Sequence, residues 1–263
     1  MDLTDDYEHA KYIPDAETYL PKWEAHAAAF RDSAQGQLDL EYGAHPRQRF
    51  DLFAPDGAAR GLLVFVHGGY WLKFDKSGWS HLAAGPVARG WAVAMPSYRL
   101  APEARISGIT RDVALAVAAA ANQVAGPIVV TGHSAGGHLS ARMACAGVLP
   151  DEVAARLKRV VPISPVSDLR PMMQTAMNAD LRIDAAEAAL ESPVLCRDPL
   201  DIEARIWVGA EERPSFLDQA RWLRDAWPAA VLRVAPGRHH FDVFDGLGDA
   251  DSPLTRYVLD GLN

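Results

Sequence analysis

Cysteine is scarce in this chain, with only Cys145 and Cys196 among 263 residues. They lie far apart and show neither C-x-x-C nor metal-ligand spacing, which excludes a disulfide framework or a cysteine-based zinc site and leaves reduced, packed thiols as the expectation. Basic charge is also short: 26 Lys and Arg face 34 Asp and Glu, a net charge of −8. Without a basic surface, nucleic acid and anionic membranes are not expected partners. No apolar run is long enough to cross a bilayer, since the alanine-rich stretch Val113 to Ala121 is the longest. The start, "MDLTDDYEHAKY", has no basic segment followed by an apolar one, so neither a secretory signal nor a membrane anchor is expected and the reading is cytoplasmic. Repeats, low-complexity tracts and Ser/Pro-rich linkers are missing too, which predicts one domain over residues 1–263.

What is present is a rhythm. Asp15 to Arg31 reads as a helix, and "QLDLEY" and "RFDLFA" alternate like an antiparallel pair before a turn at Asp56-Gly57. From Gly61 onward, six continuous apolar runs of strand length follow: "GLLVFV", "WAVAMP", "PIVVTG", "RVVPIS", "ARIWVG" and "AVLRVA". Strands of this kind are buried on both faces. Helix-like stretches separate most of them, at Ser77 to Arg89, Ile106 to Val124, Ala135 to Val148 and Pro214 to Trp227, and Pro253 to Leu262 closes the chain with Ser252 as its N-cap. The alternation predicts an α/β fold, a mostly parallel central sheet with helices on both faces. A helical excursion is expected around residues 168–193, with Asn178 to Ser192 lying over the site. Ligands bind at the carboxyl ends of such strands, so the residues just past each apolar run carry the functional argument.

Four strand ends stand out. "IVVTG" runs into "HSAGGHL", the strand–turn–helix context in which G-x-S-x-G exposes a serine on a strained turn between small neighbours, here Ser134 between Gly132 and Gly136. A serine hydroxyl is a weak nucleophile and needs a base and an acid, in the chain order Ser, Asp/Glu, His if this is a hydrolase sheet. After "AVLRVA", a Pro-Gly turn leads to His239 and His240; His240 is the candidate base and His239 a solvent-facing neighbour. After "ARIWVG" come Glu211 and Glu212, and spacing from the strand's glycine favours Glu212 as the acid that holds His240 in its working tautomer. Asp242 is a rival acid and Asp168 reads as a loop anchor. After "LLVFV", His67-Gly68-Gly69 lets bare backbone approach the reaction centre, so the N–H groups of Gly68, Gly69 and Ala135 are the candidate oxyanion donors. Tyr70 and Trp71 either line a pocket for an aromatic group or serve packing. Histidines without carboxylate or cysteine partners at ligand spacing call for no metal, and no cofactor is expected.

These motifs resemble the α/β-hydrolase superfamily, and within it the arylformamidase (kynurenine formamidase) branch, beside the hormone-sensitive-lipase-like esterases. The lipase-like branch usually carries His-Gly-Gly-Gly, whereas this chain reads "HGGYW" as the formamidases do. "DKSGWS" (Asp75 to Ser80), "SYRLAPE" (Ser97 to Glu103), "GHSAGGHL", "SPVSDL" (Ser164 to Leu169), "VGAEERPSF" and "HHFDV" match that branch as well, spanning roughly residues 40 to 245. The resemblance implies Ser134 as nucleophile, His240 as base, Glu212 as acid, and Gly68, Gly69 and Ala135 as the oxyanion hole. Glu212 stands where such enzymes generally show Asp. The implied reaction is cleavage of a formamide or acyl ester through an acyl-enzyme, with N-formylkynurenine to kynurenine and formate as the type case. A short-chain carboxylesterase is the alternative and a non-catalytic hydrolase-fold binding protein the remote one. The expected partner is a small ester or amide substrate; the sequence leaves the oligomeric state open, with a homodimer among the options.

Overall fold

A computed structural model describes residues 2–262. Eight strands form one sheet: β1 (Gly36–Glu41), β2 (Arg49–Phe53), β3 (Leu62–Val66), β4 (Ala92–Pro96), β5 (Ile128–His133), β6 (Leu157–Ile163), β7 (Glu203–Gly209) and β8 (Val231–Ala235). Their order is β1-β2-β4-β3-β5-β6-β7-β8. β1 and β2 form the antiparallel entry pair and β2 runs antiparallel to β4; β3 to β8 are parallel to their neighbours. All six apolar runs of the sequence are strands. Because side chains alternate across a strand, β3 feeds two cores: Leu62, Val64 and Val66 join one cluster, while Leu63 and Phe65 join the other. Each such buried aliphatic contributes about 1.5–3 kcal/mol of hydrophobic stabilisation.

Helices cover both faces. They are α1 (Tyr19–Ser33), α2 (Ala84–Ala88), α3 (Ile106–Ala121), α4 (Ala135–Arg142), α5 (Asp151–Ala154), α6 (Asn178–Leu181), α7 (Ala185–Glu191), α8 (Pro214–Ala226) and α9 (Pro253–Leu259). α3, α4 and α8 pack Ile109, Val113, Leu139 and Phe216 into the first core, and α1 and α9 pack Trp23, Leu254 and Val258 into the second. Ser252 caps α9, its hydroxyl accepting from Thr255 N at 3.0 Å. No helix among the described residues is long and apolar enough to cross a membrane.

The helices expected over Asp15 to Arg31, Ile106 to Val124 and Pro253 to Leu262 are shifted or shortened to Tyr19–Ser33, Ile106–Ala121 and Pro253–Leu259, and two further stretches differ more. The stretch expected as one helix from Ser77 starts as a 3₁₀ helix, Lys76–Ala83, capped by Asp75, whose carboxylate accepts from Ser77 N at 2.7 Å. Gly78 and Gly85 weaken the α form there. α4 stops at Arg142 rather than Val148, because Cys145 turns out to pair with Pro199 in an isolated bridge and Gly147 is left-handed, with φ of 76°. The excursion at 168–193 consists of a 3₁₀ turn (Pro171–Gln174), α6 and α7; Met177, between the turn and α6, reaches the cavity described next, whereas Asn178 to Ser192, expected over the site, do not line it.

Candidate active site

The turn after β5 positions Ser134. Its backbone lies at φ 57° and ψ −115°, a conformation that costs a non-glycine residue about 1–3 kcal/mol and persists only where the surroundings impose it. Glycine makes the imposition possible: a Cβ on Gly136 would sit 2.0 Å from Val66 O, and one on Gly132 would sit 2.4 Å from Gly136 O. α4 therefore starts directly against the end of β3, with Ser134 N tied to Ile163 O of β6 at 2.9 Å. Ala135, the first residue of α4, has an N–H with no intrahelical acceptor.

The loop after β3 supplies the facing backbone. A Cβ on Gly68 would lie 2.9 Å from His133 O and 3.2 Å from Ser134 Cβ, so glycine lets the loop touch the elbow. His67 orients that loop: burial pushes its pKa down to about 4, and the neutral ring donates from Nδ1 to Gly68 O at 2.7 Å. In a trans peptide the N–H points opposite to the C=O, so holding Gly68 O aims Gly69 N–H the other way. Neither Gly69 N nor Ala135 N bonds a backbone or side-chain acceptor among the described residues. Tyr98 completes the support, donating to His67 O at 2.8 Å.

Gly69, Tyr70 and Trp71 all have positive φ, at 111°, 57° and 60°. This irregular turn separates the two aromatics that the sequence placed together. Tyr70 lines the cavity. Trp71 is buried in the first core with its ring edge-on to His138 at 5.2 Å, and it does not line the cavity. Its assignment to the substrate pocket is thereby corrected: two successive left-handed residues break the alternation that would have kept both rings on one surface.

β7 and β8 deliver the remaining groups. A Cβ on Gly209 would lie 2.2 Å from Arg238 O, and Glu211 N bonds Arg238 O at 2.9 Å, so the loop after β7 is fastened to the loop carrying His240. Across that seam His240 Nδ1 donates to Glu212 Oε2 at 2.8 Å. The Glu212 side chain is fully buried, and its other oxygen accepts from the Ser164 hydroxyl. Glu211, the other candidate, is exposed. Asp242 accepts from His239 N and pairs with Arg238, while Asp168 accepts from Arg170, as a loop anchor should. His239 is half-buried and bonds Tyr19 OH at 3.1 Å. With Nδ1–H engaged by a carboxylate, His240 keeps a lone pair on Nε2.

Ser134 and His240 line one cavity of about 430 Å³ with Trp23, Tyr70, Phe74, Trp79 and Phe241. No hydrogen bond joins the two, and in unliganded hydrolases this bond commonly tightens only with substrate bound. Three neighbours escaped the sequence reading. Ser164 directly follows β6 at a positive φ of 45°. His133 packs against His240 with ring centroids 4.4 Å apart. His9 stacks on His240 at 3.4 Å with planes 2° apart. Ser164 and His133 lie within the quoted "SPVSDL" and "GHSAGGHL", but nothing local marks His9.

His9, Glu212 and His240 bring one potential metal-ligand atom each within 4.8 Å of one another. The geometry does not suit a metal. Imidazole lone pairs lie in the ring plane, parallel planes 3.4 Å apart do not converge on one ion, and both Glu212 oxygens are already engaged.

A family model described as alpha/beta hydrolase fold matches residues 63–221. The chain is 25% identical to kynurenine formamidase of Danio rerio over 87% of its own length and 83% of that protein's, and 28% identical to that of Drosophila melanogaster over 83% and 79%. A crystal structure from a Silicibacter species, described as a candidate thioesterase, superposes with a TM-score of 0.96 at 53% identity, covering 98% of this chain and 99% of that one. Esterase B of Lactobacillus rhamnosus shares the fold at 18% identity, with a TM-score of 0.67 over 92% of each chain. Since the matched family model spans more than half of the sequence, the chain belongs to the alpha/beta hydrolase family.

Proposed function

We propose that the chain is a serine hydrolase of N-formyl aromatic amines such as N-formyl-L-kynurenine, releasing formate and the free arylamine. The observation that carries this reading is the buried His240–Glu212 pair opening on the same cavity as Ser134, which is held in its strained turn. Ser134 Oγ attacks the formyl carbon as His240 Nε2 takes its proton. Gly69 and Ala135 N–H, with Gly68 beside them, hold the oxyanion, each such donor being worth about 3 kcal/mol. His240 then passes the proton to the leaving nitrogen as the C–N bond breaks. Water, deprotonated by His240, attacks the formyl-enzyme, releasing formate and restoring Ser134. Glu212 stabilises the imidazolium without taking the proton. The aromatic walls formed by Trp23, Trp79 and Phe241 suit an aryl leaving group, and the relatives named kynurenine formamidase supply the substrate class.

A second reading, hydrolysis of short acyl esters or thioesters through the same residues, is favoured by the 53% identical protein described as a candidate thioesterase. Comparing kcat/KM for N-formylkynurenine, p-nitrophenyl acetate and acetyl-CoA separates the two. The formamidase reading expects the formamide to be the best substrate. A formamide rate at background beside good ester or thioester turnover overturns it.

A further inference from the structure

Residues 2–12 form a strap across the cavity. Leu3 N bonds Gln174 O at 2.9 Å, Ala176 N bonds Thr4 Oγ1 at 2.8 Å, and Gln219 of α8 donates to Tyr7 OH at 2.8 Å. Arg213 adds a bond to Asp5 O at 3.2 Å, and Tyr70 OH reaches Tyr7 O at 3.3 Å. The strap is thus moored to the excursion, to α8 and to the loop that carries Gly69, and what it delivers is His9.

His9 lies 2% exposed on the cavity wall, face to face with His240 and with its edge against Phe216 at 4.4 Å. Its Nε2 is buried without a hydrogen-bond partner. Burial and the neighbouring His240 and His133 rings hold its pKa well below the ordinary histidine value, so the ring is neutral and carries one donor and one acceptor nitrogen. A buried polar atom left unpaired is costly, and Thr4, Glu8 and Lys73, polar residues on the same wall, do not pair with this one. Mooring by many contacts to seat an unpaired nitrogen beside the base is the arrangement of a recognition group awaiting its partner.

We propose that His9 is a specificity-determining residue whose Nε2 hydrogen-bonds a polar group on the leaving portion of the substrate, one or two bonds from the scissile bond. Stacking puts the His9 ring against the base that hands the leaving group its proton, so a carbonyl ortho to the scissile bond on an aryl leaving group is the chemistry it fits. The inference rests on the serine-hydrolase reading but not on the formamide being the substrate.

The test uses two acetate esters of nearly equal size, 2-acetylphenyl and 2-isopropylphenyl acetate, and the matching formanilides. The intact chain should favour the acetyl member by about tenfold in kcat/KM. His9→Phe, which keeps a ring for the stack but has no nitrogen, should bring that ratio within about twofold of unity, and His9→Asn should restore part of it. A merely structural role lowers both rates and leaves the ratio standing, so an unchanged ratio in His9→Phe, or no acetyl preference in the intact chain, overturns the proposal. If the formanilides are not turned over while the ester ratio behaves as stated, the formamidase reading fails alone.

Discussion

Replacing Glu212 by Gln isolates one oxygen of one side chain. In the wild type Oε2 accepts from His240 Nδ1–H at 2.8 Å and Oε1 accepts from the Ser164 hydroxyl, so the pocket offers two donors to two acceptors. Glutamine has one acceptor and one NH₂. If its oxygen faces His240, the Ser164 hydroxyl can rotate to accept from the NH₂; the tautomer survives and only the buried negative charge opposite the imidazolium is lost. If its NH₂ faces His240, the imidazole must accept at Nδ1 and carry its proton on Nε2, where it cannot act as a base. The first arrangement costs about 10²-fold and the second about 10⁴-fold, equivalent to roughly 3 and 5.5 kcal/mol at 1.36 kcal/mol per decade. The expected loss in kcat for p-nitrophenyl acetate falls between these limits. Ser164→Ala should cost about tenfold, through a lost bond to a carboxylate that then holds His240 less firmly. Glu211→Gln should stay within about twofold, because that side chain is exposed. Circular dichroism and thermal melting verify that each variant is folded. A Glu212→Gln enzyme within about threefold of wild type, or one outperformed in damage by Glu211→Gln, would refute the assignment.

Two further expectations follow from packing and burial. Gly136→Ala puts a Cβ 2.0 Å from Val66 O and 2.6 Å from His67 O, both backbone atoms, and should destabilise by about 3 kcal/mol or more and remove activity, whereas Gly78→Ala meets nothing within 4 Å and should be tolerated; equal melting temperatures for the two would contradict the geometry. His67 and His138 are buried with pKa values pushed down to about 4 and about 3, so each contributes stability that is whole above pH 6.5 and lost as pH falls toward those values. The slope is about 1.4 kcal/mol per pH unit per histidine, or roughly 2–4 °C in Tm. A Tm that stays flat between pH 6.5 and 4.5 would show that these rings are not held neutral, and His138→Gln should flatten the slope by one histidine's share.

The legible part of the sequence was the part written in local pattern. Strand-length apolar runs marked β3 to β7 because a strand buried on both faces has no polar side to confuse the signal; β8 carries the same kind of run but is the edge strand, with Val231 and Val234 exposed, against the expectation of burial on both faces. Ser134, Glu212 and His240 could be singled out because each follows such a run within a few residues, and the fold gathers the ends of β5, β7 and β8 at one edge. Spacing from the strand's glycine favours Glu212 over Glu211, and the physical reason lies in three dimensions: Gly209 permits contact with Arg238, a pairing of two loops separated in sequence. His9 was invisible for the same reason, its moorings being Gln174, Arg213, Gln219 and Tyr70, all distant in the chain. Trp71 shows the reverse failure, where a motif suggested a pocket but positive φ at two neighbouring residues sent the ring into the core.

The account stands on Ser134 being the atom that attacks. A fluorophosphonate probe, followed by peptide mapping, measures this directly: the account predicts one phosphonylated site, on the peptide carrying Ser134, and no labelling of Ser134→Ala. Labelling that persists in Ser134→Ala, or maps to another residue, would contradict it.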